Sequence, residues 1–191
     1  MSERKAYFAA GCFWGVEDRF RKMPGVIDAV SGYMGGHTEN PTYREVCAGD
    51  TGHAETVEVR FDDTRISFEE LLDAFFEMHN PTTLNRQGPD FGSQYRSAVF
   101  AVDEAQVTAA SRKKAELDAS GRWRDPVVTE ITLGGAFWPA EEYHQRYFEK
   151  NGGGYCKARP ARDRSGFDLV DQPEQDDRAD GGDRDGTDHV G

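Results

Sequence analysis

Residues 55–61, ETVEVRF, set Val57, Val59 and Phe61 against Glu58 and Arg60, the alternation of a half-buried strand. Shortly after, SFEELLDAFFEMH changes period: Leu71, Leu72, Phe75 and Phe76 fall on one helical face, and Ser67 with Glu70 forms a capping box at its start. A chain that switches from period 2 to period 3.6 in this way has to bury a sheet face against a helix stripe. The switch recurs. KAYFAA reads as a buried strand, followed by Val16, Phe20 and Met23 at helical spacing until Pro24 and Gly25 stop them. GVIDAVSGY, RSAVFAV and VVTEITL read as further strands. DEAQVTAASRKKAELDAS reads as a helix ended by Gly121, and PAEEYHQRYFEK as a helix with Pro139 at its start. GGHTENPTYREVCAGDTGHA and NPTTLNRQGPDFGSQY read as loops. This order predicts a layered α/β or α+β sandwich.

At 191 residues the chain is long enough for one domain with a real core. The formal charge is −12, and because residues 157–191 hold 10 acidic against 6 basic residues, about −8 remains on residues 1–156. No basic stripe is visible, so neither nucleic acid nor an anionic membrane is an expected partner. No apolar run approaches the length of a membrane span, and MSERKAYFAAG has too short an apolar stretch for a signal peptide. A cytoplasmic protein is expected. Its three cysteines, Cys12, Cys47 and Cys156, lack a C-x-x-C pair and suit neither a secreted disulfide scaffold nor a zinc ribbon. Any disulfide is expected to be transient and catalytic. The catalytic domain is expected over residues 1–158. Residues 159–191, rich in Asp and Gly with almost nothing apolar to bury, are expected to form a disordered acidic tail.

GCFWG, residues 11–15, puts a cysteine at a strand-to-helix junction, between a glycine and two large aromatics. Helix starts lower thiol pKa values through free N–H groups and the positive dipole end, so Cys12 can be a nucleophile. It can equally be a buried packing cysteine, with Phe13 and Trp14 as core residues. If the aromatic pair is exposed, it makes an apolar box beside the sulfur, suited to a methyl or thioether group. Glu55, just ahead of its strand, is either a solvated carboxylate or, if buried, a proton donor at neutral pH. His53 and Glu55 also form the H-x-E that opens a zinc deaminase signature, but the P-C-x-x-C it requires is missing, so no metal is expected at His37, His53, Cys47 or Cys12. Tyr43 and Tyr95 lie where hydroxyls can point into a cleft or pack half-buried. Asp90 reads as a turn residue.

Taken in order, GCFWG, YREVCAGDTGHAE, NRQGPDFGSQYRS and NGGGYC resemble the A-type peptide methionine sulfoxide reductases over about residues 6–156. The resemblance implies an α+β two-layer sandwich around a mixed sheet with a ferredoxin-like core. It implies a peptide-methionine (S)-S-oxide reductase that repairs oxidised proteins by reducing the S epimer of methionine sulfoxide, free or in proteins. In that reading Cys12 is the nucleophile and Phe13 with Trp14 form the methyl pocket. Glu55 is the acid, assisted by Tyr43 and Tyr95, and Asp90 is a polar residue of the same site. Cys156 is the recycling cysteine and Cys47 has no catalytic part. The implied reductant is thioredoxin or an equivalent dithiol, with no bound cofactor and a monomeric enzyme. Many relatives carry another cysteine after G-Y-C, whereas KARPARDRSG follows here, which implies a two-cysteine cycle. Two other readings keep the same residues: a peroxide-reducing thiol enzyme, and a non-catalytic protein that captures methionine or its sulfoxide in the aromatic box.

Overall fold

The computed structural model describes residues 1–151. Cys156, the glycines before it and the acidic tail from residue 159 therefore lie outside the described residues. Six strands form one sheet: β1 (Glu3–Ala10), β2 (Val26–Met34), β3 (Ala54–Asp62), β6 (Ser97–Ala101), β7 (Glu130–Leu133) and β8 (Trp138–Pro139), in the order β7-β6-β1-β3-β2-β8. All neighbours are antiparallel except β6 and β7, which run parallel through the crossover helix α4 (Glu104–Ala119). The sheet is mixed. Its four central strands are linked through α1 (Phe13–Arg21) and α3 (Phe68–Glu77), a β-α-β-β-α-β connectivity with β1 and β3 in the middle.

Side-chain alternation sorts this sheet into two faces. Phe8, Val57, Val59, Phe61 and Val99 point toward the helices, where Phe13, Val16, Phe20, Leu71, Leu72, Phe75 and Phe76 complete the main core. Phe8 alone stacks against Phe20, Phe68 and Phe75, with ring centroids 4.9, 6.1 and 5.2 Å apart. The opposite face carries a smaller cluster, Ala9, Met34, Ala54, Ala98 and Phe100, with Tyr7 and Phe137 packed against it. The architecture is an α+β two-layer sandwich.

Three segments differ from the sequence reading. The loop before β3 contains a helix, α2 (Tyr43–Ala48), started by a Thr42/Glu45 capping box and stopped by Gly49 at φ +88°. The long loop after α3 contains a two-rung hairpin, β4 (Arg86–Gln87) with β5 (Asp90–Phe91), and then a 3₁₀ turn at Ser93–Tyr95. PAEEYHQRYFEK is not one helix. Pro139 ends the short edge strand β8, a position that tolerates its missing N–H, and pairs with Gly32. A 3₁₀ turn at Glu142–His144 follows, and then a single helical turn, α5 (Tyr147–Lys150). Between these, Arg146 takes the left-handed conformation, φ +54°, with its backbone N–H donating to Glu17 Oε1 at 2.9 Å.

Candidate active site

Cys12 is the residue capping the N-terminus of α1, with φ −53° and ψ 121°, and it is half-buried. Gly11 before it has φ +90°, and a Cβ added there would fall 2.7 and 2.8 Å from Gln87 Cγ and Cβ. Glycine is required at this position by torsion and by that close approach. The side of Gly11 that a Cβ would occupy is filled by Gln87.

Glu55 is the second residue of β3 and shares parity with Val57, Val59 and Phe61, so its side chain enters the helix-facing layer. It is 2% exposed, and its Oε2 accepts the Phe13 backbone N–H at 3.0 Å. One of the unsatisfied N–H groups of α1 is thereby spent on a carboxyl next to Cys12. Burial pushes the Glu55 carboxyl up to about 8, the Phe13 N–H pulls it down, and the charge of Asp90 adds to the rise. At neutral pH most of this group carries its proton.

Asp90, Tyr95 and Cys47 are coupled by charge to the same carboxyl, and Tyr43 joins them through Cys47. Asp90 in β5 is half-buried, and burial raises it too. Tyr95 is raised well above an ordinary phenol by burial and by the charges of Glu55, Cys47, Asp90 and Cys12, so its hydroxyl stays a donor. Tyr43, at the start of α2, hydrogen-bonds the Cys47 thiol one turn on, and burial raises that thiol despite the exposure of the residue as a whole. The site thus gathers Cys12, Tyr43, Cys47, Glu55, Asp90 and Tyr95. The aromatic pair divides. Phe13 is 1% exposed, inside the core against Tyr33, whereas Trp14 is half-buried with its indole stacked flat on Tyr147 at 3.7 Å and 5°.

His53 and Glu55 do not share a ligand set. His53 is buried, its Nδ1 accepting from Gly36 N at 3.0 Å and its Nε2 meeting Thr38 O at 2.7 Å, which holds the 36–38 turn. Among the described residues no group of three His, Cys, Asp or Glu side chains is placed to hold a metal ion.

Sequence reasoning missed Glu141, His144 and Tyr147, because it assigned them to a helix. Glu141 accepts from the Tyr33 hydroxyl (3.0 Å), the Tyr43 backbone N–H (3.2 Å) and the Tyr143 hydroxyl (3.1 Å). Burial alone would raise this carboxyl, yet these bonds and its own backbone N–H hold it below the usual range. His144 is 1% exposed and touches the rings of Phe13, Trp14, Tyr43 and Tyr143. The Trp14 Nε1–H donates to His144 Nδ1 at 3.0 Å, which leaves the imidazole proton on Nε2, and burial lowers the pKa of the ring. The only signal in the sequence was a crowding of acidic and aromatic residues after Pro139.

A thiol at a helix start, a buried protonated carboxyl and phenolic donors around it define a thiol-based oxidoreductase of the α+β class. A family model described as peptide methionine sulfoxide reductase matches residues 4–175. The peptide methionine sulfoxide reductase MsrA of Methanoculleus marisnigri is 55% identical over 156 residues, covering 82% of this chain and 95% of the relative. Mxr1 from Saccharomyces cerevisiae in reduced form superposes with a TM-score of 0.77 at 37% identity, covering 85% of this chain and 93% of that one. A structure of Mxr1 in complex with Trx2 matches at a TM-score of 0.55 and 28% identity, covering 76% and 85%. The chain belongs to the peptide methionine sulfoxide reductase family, type A.

Proposed function

We propose that this enzyme reduces the S epimer of methionine sulfoxide, free or in proteins, through a sulfenic acid on Cys12. The observation that carries the reading is Glu55: a buried carboxyl, protonated at neutral pH, held 3.0 Å from the backbone N–H of the residue after Cys12. Sulfoxide sulfur is electrophilic, but its oxygen is released only as it gains a proton. The Cys12 thiolate attacks sulfur, Glu55 gives its proton to the oxygen, and the Tyr43 and Tyr95 hydroxyls hydrogen-bond the developing charge. The attack forms a bond between Cys12 Sγ and the substrate sulfur; the protonated oxygen then passes from that sulfur to Sγ as the S–O and S–S bonds break, leaving Cys12–SOH and methionine. Trp14 lines the methyl pocket, Phe13 backs it from the core, and Asp90 orients the polar part of the substrate.

Cys156 is the proposed second thiol. Its attack on the sulfenic acid forms a Cys12–Cys156 disulfide and releases water. An external dithiol, thioredoxin or its equivalent, then reduces the disulfide and is itself oxidised. The Mxr1 complex with Trx2 supports that partner by relation. No bound cofactor enters this cycle. We place the enzyme in the reducing cytoplasm as a monomer. Among the described residues no helix is long and apolar enough to cross a membrane.

The test is single-turnover reduction of each epimer of a methionine sulfoxide peptide by pre-reduced protein, without added reductant, followed by a thiol count. Methionine from the S epimer only, with two thiols lost per methionine, is the expected result. Cys156→Ser should lose one thiol and stop at sulfenic acid. No methionine from either epimer would overturn the reading.

A further inference from the structure

We propose that Gln87 is a positioning residue for both Cys12 and Asp90, setting the distance between the nucleophile and the carboxyl pair. For its rate measurements this rests on the function proposed above. Gln87 lies in β4, opposite Asp90 in β5. Paired residues in an antiparallel ladder share a face, so Gln87 and Asp90 point one way and the next pair, Arg86 and Phe91, points the other. The inward pair meets the site. The outward pair stacks its guanidinium 4.3 Å from the Phe91 ring centroid, and Phe91 is 66% exposed.

Three contacts converge on the Gln87 side chain. Its Cβ and Cγ form the wall against Gly11, within 2.8 Å of where a Cβ would sit. Its Oε1 accepts Asn80 N–H at 3.1 Å, and its Nε2 donates to Asn80 O at 2.9 Å. Asn80 is itself anchored, because its neighbour His79 is buried and bridges Phe75 O and Ser97 Oγ at 2.7 Å each. The clasp therefore ties the hairpin to the end of α3 and to β6. Those are rigid elements.

This matters because Gly11 is the least self-limiting residue in the chain at the point where torsion decides where the Cys12 sulfur goes. The first turn of α1 is held by the Glu55 carboxyl at Phe13 N–H, one residue beyond Cys12. A hydrocarbon wall from Gln87 adds a limit at Gly11 itself, and the amide clasp of the same side chain holds Asp90 close enough to act on Glu55. One residue thus fixes both sides of the proton-and-thiol pair, and misplacements of about 1 Å can cost on the order of a hundredfold in rate.

Three variants of the full chain separate these contacts: Gln87→Ala removes the clasp and the Cγ part of the wall, Gln87→Met keeps the wall, and Gln87→Glu keeps the wall and the bond to Asn80 N–H. Two measurements are made on pre-reduced protein. One is the pH profile of Cys12 alkylation by iodoacetamide, followed by mass spectrometry of the Cys12 peptide. The other is kcat and KM for a methionine-S-sulfoxide peptide. Gln87→Ala is expected to move the alkylation profile and lower kcat about ten- to a hundredfold. Gln87→Met is expected to restore the profile but not the rate, with Gln87→Glu between Met and the parent. A Gln87→Ala protein within twofold of the parent in kcat with an unmoved profile would overturn the proposal. So would losses that only track the folded fraction by circular dichroism. Should the Ala variant not fold, a Met variant with the parent's kcat overturns the clasp. If the parent forms no methionine, the proposed function fails, and the alkylation profile still decides the role of Gln87.

Discussion

Two segments line the same site and are held in opposite ways. The start of β3, which carries Glu55, is laddered to β2, with Tyr33 opposite Glu55 and Met34 opposite Ala54, and from Val57 onward the strand is paired with β1 as well. The strap at residues 138–150, which carries Glu141, His144 and Tyr147, has two ladder rungs at Trp138 and Pro139 and then almost no regular pairing. Side chains take over the task. The Gln145 amide accepts from Ser31 N at 2.9 Å and donates to Ser31 O and Ala140 O at 2.8 and 3.0 Å, continuing the edge of β2 as a strand would. Glu17, 1% exposed, accepts from Arg21, Ser31 Oγ and Arg146 N, which pins the left-handed turn onto α1. The lesson is that a proton donor can be fixed by backbone alone, whereas the aromatic wall facing it depends on a few polar side chains.

The largest expected effect is on the β3 side. Glu55→Gln keeps an acceptor for Phe13 N–H but has no proton to give, so sulfoxide reduction should fall by about 10² to 10⁴. Its stability should respond the other way. The folded-state pKa of Glu55 is raised to about 8 from 4.5, so the folded protein binds an extra proton between those values. Stability from that proton is full below pH 4.5 and is lost as pH rises through 8. A melting series from pH 5 to 9 should show the parent losing on the order of 4 kcal/mol that Glu55→Gln keeps. An identical slope in both proteins would contradict a buried, protonated Glu55. The activity of the parent should also decline as pH passes 8.

Next in size is Phe61→Ala, which empties a fully buried position in the same strand as Glu55. Chemical denaturation should report about 3–5 kcal/mol of lost stability, with turnover per folded molecule unchanged. On the strap, Gln145→Ala removes three hydrogen bonds and should cost about 1–3 kcal/mol. Here turnover should fall more than global stability does. Hydrogen exchange should rise in residues 138–150 and not in β3, and uniform exchange across both would erase the contrast. The smallest effect is that of Asp90→Asn. Removing its charge lowers the pKa of Glu55, so the alkaline decline in activity should move to lower pH; a decline that stays in place would separate Asp90 from Glu55.

What could be read in the chain follows the same division. The α3 helix was legible because its cap, Ser67 with Glu70, and its buried face lie within one window, and the structure shows both. The strands β1, β3 and β6 were legible for the same reason, as was the position of Cys12 at a strand-to-helix junction. The helix α2 had its signal in Thr42 and Glu45, hidden among loop-like neighbours. Glu55 had one as well: its parity with Val57, Val59 and Phe61 places it on the buried face.

By itself, then, the sequence determined a layered sandwich of strands and helices and the position of the thiol, since periodicity and capping act between residues a few places apart. Only the tertiary structure decided that Glu55 is desolvated, that Phe13 lies in the core while Trp14 stands at its edge, and that residues 139–150 abandon the helix their pattern suggests. Those outcomes depend on partners far along the chain, among them Glu17 with Arg146, Trp14 with His144 and Gln87 with Gly11. Burial and long-range hydrogen bonds are properties of the assembled fold, and local pattern does not encode them.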